Sequence, residues 1–207
     1  MRIRTNLERT LVASSCLGAL ACGGAPAAQN GSKLGPTQPA ITDVERYMPL
    51  KGDTVYAFET QIENSGEKGV LMMHVDRPRA DQAVLTVGGK AQRLEIAKQG
   101  IRIDNGGWLL KAPLSVAATF RGQFGEVVVR NIDAEVDVPA GHFKGCIETV
   151  EESTTVKKRV TTVFCPDIGI VSLEAEGAIG DDYGHEKALL RSYGPRVDIN
   201  DLPPEKK

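Results

Sequence analysis

The stretch that decides the fold is Val136-Asp137-Val138-Pro139-Ala140-Gly141-His142-Phe143-Lys144-Gly145-Cys146, a polar run of Glu, Thr and Lys, then Val163-Phe164-Cys165-Pro166-Asp167-Ile168-Gly169-Ile170-Val171. It reads as two strands joined by a hairpin, with a cysteine at the far end of each. If Cys146 and Cys165 face each other, opposed residues in the antiparallel pair share one number sum. The turn then falls between Thr155 and Val156, within a four-residue loop Thr154–Lys157. The same register sets Ile147 against Phe164, Val150 against Thr161 and Glu152 against Arg159. Cross-strand pairs of these kinds each contribute roughly 0.2–1 kcal/mol. A one-residue slip would turn every side chain to the wrong face. Opposed cysteines at such a position are close enough to bridge. Two buried free thiols would be the simpler reading in a cytosolic protein, and a disulfide in an oxidising compartment. Pro139-Ala140-Gly141 before the hairpin and Pro166 with Gly169 after it mark strand ends, because proline cannot donate to a ladder.

The compartment is read from the N-terminus. Arg2, Arg4 and Arg9 make a basic leader, and Leu11–Ala21 is an apolar stretch. That stretch is too short to span a bilayer and suits the apolar core of a signal peptide. It ends Leu17-Gly18-Ala19-Leu20-Ala21-Cys22-Gly23-Gly24. This resembles the bacterial lipobox, with Ala19 standing where such boxes usually carry leucine. The resemblance implies residues 1–21 as a signal peptide, cleavage before Cys22 and lipidation of its sulfur. Several acyl chains, at about 0.8 kcal/mol per buried CH₂, give stable anchoring. An ordinary signal peptide cleaved after Ala19-Leu20-Ala21, leaving Cys22 free, is the other reading. Gly23 after the cysteine, in place of aspartate, favours by resemblance the outer membrane, facing the periplasm. Cys16 leaves with the leader, and Cys146 and Cys165 remain to pair. There is no CxxC and no Cys/His metal spacing, so neither a metal nor another cofactor is expected.

Residues 22–40 are Gly, Ala, Pro, Gln, Asn and Ser with almost no charge, a flexible tether behind the lipid. About 18 such residues reach roughly 25 Å. A domain spanning 41–200 follows, then a loose tail, 201–207. The net charge is −2, with acids and bases interspersed, which leaves no electrostatic footprint for nucleic acid. Removal of residues 1–21 takes away three arginines and one glutamate, so the mature net charge becomes −4.

Within the domain, Ile41–Tyr47 suits one helical turn. Thr54–Ile62 alternates, with Tyr56, Phe58, Thr60 and Ile62 on one face. Further strands are expected at Val70–Val75 (ended by Arg77-Pro78), Ala83–Val87, Arg93–Lys98, Ile101–Asp104, Trp108–Lys111, Ala117–Phe124, Glu126–Ala134, Ile168–Ala175 and Lys187–Tyr193. Gly88-Gly89 and Asn105-Gly106-Gly107 are hairpin turn signals. About eleven short strands with no long helical pattern predict an all-β fold, an antiparallel curved sheet closing as a half-barrel, barrel or sandwich.

Four motifs occur in order: Tyr47-Met48-Pro49-Leu50-Lys51-Gly52, Gly107-Trp108-Leu109-Leu110-Lys111-Ala112-Pro113-Leu114, Val138-Pro139-Ala140-Gly141 with Phe143 and Cys146, and Pro166 with Gly169 and Val171. Together they resemble a broad set of uncharacterised bacterial envelope proteins, many of them predicted lipoproteins. Some of that set are distantly similar to lipoprotein carriers, whose curved sheet forms an open half-barrel with an apolar inner face. The resemblance covers residues 46–193 and rests on turns and strand ends. The covering helices of those carriers have no counterpart in this sequence.

No catalytic constellation is evident. His74, His142 and His185 are scattered, with no local serine or cysteine set to act as a nucleophile. Asp181–Glu186 reads as a solvated acidic loop, since it lacks the alternating spacing of a calcium loop. Glu174 and Glu176 read as the wet side of a strand. Val70-Leu71-Met72-Met73 is an unbroken apolar run, read as core filling or as a cavity wall. Trp108 is read as a packing anchor or the mouth of a pocket. Met72, Met73 and Trp108 are therefore the candidate ligand-facing residues. The expectation is a non-enzymatic envelope lipoprotein, held to the membrane through Cys22, that binds an apolar ligand such as an acyl chain or a partner protein. A structural subunit of an envelope complex is the alternative, and a hydrolase is third.

Overall fold

A computed structural model describes residues 39–196 apart from 64, 105, 180 and 181; for 178, 179, 182 and 183 it gives the backbone alone. The expected signal peptide, Cys22, nearly all of the tether and the tail at 201–207 lie outside the described residues.

Twelve strands form where about eleven are expected, and there is no helix among the described residues. They are β1 (Thr54–Ile62), β2 (Lys68–Arg79), β3 (Gln82–Val87), β4 (Lys90–Ala97), β5 (Gly100–Ile103), β6 (Trp108–Lys111), β7 (Thr119–Arg121), β8 (Glu126–Val138), β9 (Gly141–Ser153), β10 (Lys158–Cys165), β11 (Gly169–Ile179) and β12 (Asp182–Pro195). All belong to one antiparallel sheet with the order β6-β5-β4-β3-β2-β1-β12-β11-β10-β9-β8-β7. Two meanders are thus joined back to back through β1 and β12.

The β9–β10 hairpin has the register expected from the sequence. Glu152 opposes Arg159, Val150 opposes Thr161 and Ile147 opposes Phe164, around the turn Thr154–Lys157. The next pair along is Cys146 and Cys165, joined by a disulfide with their Cα atoms 4.2 Å apart. Both cysteines are fully buried. Gly88 and Gly89 both take positive φ (55° and 79°) in the two-residue turn between β3 and β4, a conformation that favours glycine.

β2 differs from its expected end. It runs past Arg77-Pro78 to Arg79, with the pairing to β3 shifting register between Asp76 and Arg79. The shift leaves Pro78, which has no N–H, outside the ladder. The strand expected over Ala117–Phe124 shrinks to three residues. Ala117 adopts positive φ (67°), and the chain bends through Gln123–Gly125. There the N–H groups of Phe124 and Gly125 both donate to Glu151 Oε1, at 2.6 and 2.9 Å.

The curved sheet nearly closes. Its two edges, β6 and β7, meet where Gly107 backs onto Arg121 and Gly122. A Cβ on Gly107 would land on the Gly122 carbonyl. Ile41 adds a clasp beside this seam, exchanging two 2.8 Å backbone hydrogen bonds with Leu114. The Gly107→Ala variant should therefore force the edges apart and cost about 1–3 kcal/mol, as overpacking does elsewhere. Gly194→Ala, with open space around the site, should leave the thermal midpoint unchanged or higher. Equal midpoints for both variants would show that the seam carries no stability.

The concave face is filled by the protein's own side chains. Phe58, Val75, Ile101, Leu110, Phe164 and Leu190 are among the fully buried ones, contributed by both meanders. Val44, Tyr47, Met48 and Leu50, from the chain before β1, also join this core. That segment makes the expected turn, with Tyr47 and Met48 N–H groups donating to Val44 O. It is pinned by Asp167 N–H to Arg46 O and by the Arg77 guanidinium, which donates to Pro49 O and pairs with Glu45 at 2.9 Å. β8 carries three register shifts between Val129 and Val136. The Pro139-Ala140-Gly141 corner reaches β12, where Ala140 N–H donates to Leu190 O.

Candidate functional site

Strand alternation sorts the polar groups. On β2, Met73 and Val75 are buried, whereas Met72, His74 and Asp76 point outward. The three sequence-selected residues, Met72, Met73 and Trp108, are not brought together. Met73 is in the core, and Met72 is half exposed on the opposite face. Trp108 lies on edge strand β6, half-buried, with the Lys111 ammonium 5.5 Å from its ring centroid.

All three histidines stand between two carboxylates. His142 faces Asp137 across the β8–β9 pair, Nδ1 to Oδ1 at 2.8 Å, with Glu135 Oε2 3.4 Å from Nε2. Lys144 shares Glu135 at 3.1 Å. His185 bridges two distant elements. Its Nδ1 meets Glu63, just after β1, at 2.6 Å, and its Nε2 meets Glu174 on β11 at 2.6 Å. Asp182–Glu186, expected as part of a loop, is instead the start of β12, paired with β11 from Ile179 to Ala175. Glu174, expected on a plain wet face, is therefore a partner of His185.

The His185 pKa is raised above 6.5. The hydrogen bond to Glu63 is the largest cause; burial opposes it, and Glu174 adds to it. A raised folded-state pKa means that protonation favours the fold. The contribution is complete below 6.5 and is lost as pH rises through the folded value. The thermal midpoint should thus fall as pH climbs above 6.5, and the His185→Gln variant should show a shallower fall. Identical slopes for the two proteins in a pH series would rule this clasp out as a source.

His74 is different. Asp53 Oδ1 lies 3.9 Å from Nε2 and Asp76 Oδ2 lies 3.5 Å from Nδ1, both beyond hydrogen-bond length. Nε2 is buried and has no partner. Asp53 precedes β1 in a turn with φ of 58°, which aspartate tolerates. Its carbonyl accepts from Arg196 N–H at 2.7 Å. The β1–β2 pairing of Thr54 with Val75 sets Asp53 alongside Asp76. An open recess lined by Gly52, Asp53, Asp76, Arg77, Pro78 and Val84 adjoins them. One ligand atom from each of Asp53, His74 and Asp76 lies within 4.8 Å of the others, so these three could hold a metal ion.

Tyr56 is a buried phenol on β1. Its hydroxyl donates to Ile168 O at 2.9 Å. Burial, and then the charge that the neighbouring Tyr193 phenol would carry when ionised, push its pKa up to about 12, so it stays a neutral donor.

A second outward surface spans β2, β1 and β12. Val70 pairs with Glu59 and Glu59 with Leu189; Met72 pairs with Ala57; Lys68 and Lys187 flank Gln61. Val70, Glu59, Leu189, Gln61, Lys68 and Lys187, with Arg191, line a shallow recess, and Met72 lies two residues further along β2. Val70 is 59% exposed and Met72 50%, the two large apolar side chains that β2 offers to solvent.

No protein-family model matches the sequence, and no curated protein matches it. Among the solved structures similar to it are the following two. One, from Bacteroides fragilis, is described as an exported protein with a YmcC-like fold; it has 14% identity, covers 70% of this chain and 96% of its own, and gives a TM-score of 0.43. The other, from Parabacteroides distasonis, is described as a lipoprotein; it has 11% identity, covers 72% of this chain and 98% of its own, and gives a TM-score of 0.40.

Proposed function

We propose that the chain is a lipid-anchored bacterial envelope protein that binds a partner protein through the outer face of β2, β1 and β12. The observation that carries this reading is the contrast between the two faces of the sheet. The inner face is occupied by its own side chains, which leaves an acyl chain little to displace into. The outer face presents Val70 beside Lys68, Lys187 and Arg191, and Met72 two residues further along the same strand. Of these cations, Arg191 has Glu59 as a neighbour, at 3.8 Å. A cationic recess with an apolar floor, on a chain that becomes more acidic after processing, suits a partner segment with apolar and acidic side chains. The lipobox-like residues Ala19–Cys22 and the buried disulfide support the envelope placement.

The test is photo-crosslinking in the native cell envelope, with a benzophenone amino acid at position 72 or at position 156. Val156 is also exposed but sits on the β9–β10 turn, away from the recess. A discrete protein adduct from position 72 and none from 156 is expected. Near-stoichiometric acyl lipid on the purified mature protein, with no adduct from position 72, would overturn the reading in favour of a carrier. Palmitate label that persists in the Cys22→Ser variant would overturn the anchor.

A further inference from the structure

The geometry points to a divalent transition-metal site, of the zinc type, formed by Asp53, His74 and Asp76 on the outer face where β1 begins. Two observations carry it. The first is the donor set. One imidazole and two carboxylates converge within 4.8 Å. Their two negative charges balance a divalent cation, and imidazole with carboxylate suits zinc and its neighbours better than calcium or magnesium. Donors around one tetrahedral ion, bonded at 2.0–2.2 Å, stand about 3.3–3.6 Å apart. A single ion takes one ring nitrogen: His74 Nε2 stands 3.9 Å from Asp53 Oδ1, just above that spacing, and the Asp76 carboxylate, 3.5 Å from Nδ1, has to turn to reach the same ion. Both carboxylates are more than half exposed and have room to turn inward.

The second observation is the orphaned nitrogen. Both ring nitrogens of His185 meet carboxylates at 2.6 Å, and His142 Nδ1 meets Asp137 at 2.8 Å. His74 Nε2 is out of contact with solvent and has no hydrogen-bond partner. Buried polar atoms in native proteins are nearly always satisfied, by protein, water or an ion. The nearest cationic side chain on β2, Arg77, is engaged by Glu45, Pro49 O and Ala80 O, so it does not neutralise the pair. Three protein ligands leave a fourth position open toward the recess of Gly52, Arg77, Pro78 and Val84. This inference does not depend on the proposed partner surface.

The test uses the full chain, stripped with chelator and titrated with zinc chloride. Zinc also binds free thiols, so the readout is the histidine side chains themselves, by nuclear magnetic resonance. One equivalent of zinc should shift the His74 ring resonances and leave those of His142 and His185 in place. His74→Asn and Asp53→Asn should each weaken the calorimetric affinity by at least tenfold, whereas His142→Asn should not change it. An unmoved His74 ring at saturating zinc would overturn the site, as would equal affinity in both ligand variants. If a variant loses its fold, the ring shifts of the unaltered chain decide alone.

Discussion

Truncating Phe58 to alanine should destabilise the domain by about 3–5 kcal/mol, as for other fully buried aromatics. Phe58 lies mid-strand on β1 with no exposed surface. It opposes Leu190 on β12 and Leu71 on β2, so its ring sits on the line where the two meanders join. Neighbours on both sides are themselves packed, so the site has little freedom to collapse, and the residual cavity keeps the loss high. At about 2–4 °C per kcal/mol for a domain of this size, the thermal midpoint should drop by roughly 6–20 °C. Val55→Ala, on the partly exposed outer face of the same strand, should cost far less. A Phe58→Ala midpoint within a degree or two of the parent would mean that β1 is not the centre of the core.

Replacing Cys146 and Cys165 together by alanine should cost roughly 3 kcal/mol, the chain-entropy value for a loop of about 20 residues. The pair extends the β9–β10 ladder by one step beyond Ile147–Phe164. Ala134 on β8 opposes Cys146, and Gly169 on β11 opposes Cys165. The bond therefore ties the middle of a four-strand layer. With both sulfurs buried, reductant should act slowly on the folded protein and quickly after denaturation. Intact mass should then rise by about two protons. Alkylation of Cys146 and Cys165 themselves in the denatured protein without reductant would sink this expectation.

The hairpin that anchors the fold was legible because its signals are local. Two cysteines, a Glu152–Arg159 charge pair and a four-residue turn all imply the same register. The alternation of β1 was legible for the same reason, since Tyr56 and Phe58 are apolar on one side and Glu59 and Gln61 polar on the other. What the sequence hid is mostly long-range. Asp182–Glu186 has poor strand propensity, yet it extends because β11 offers a continuous partner ladder. Pro78 suggested a strand end, but a register shift accommodates it within β2. The carboxylate partners of His185 come from the residue after β1 and from β11, segments far apart in sequence from each other, so no spacing rule points to the pair. Asp53 and His74 meet through the β1–β2 register in the same way. Met72 and Met73 are adjacent on one strand. A period of two sends adjacent residues to opposite faces, so they could not both line one wall.

The order of the strands bears on how the chain is assembled in time. Ten of its eleven pairings join sequence neighbours, and each meander can zip from its own turns. The β1–β12 pairing alone brings together residues on the order of 130 apart, the largest loop-closure penalty in the domain. It should form last and set the refolding rate. Until then β1 and β12, nine and fourteen residues long, are open edges, whereas the finished sheet leaves only four- and three-residue edges at β6 and β7. The hazard of the fold is thus transient. At high local density, β1 of one copy can pair with β12 of another, giving an exchanged dimer that has every native contact and the wrong connectivity.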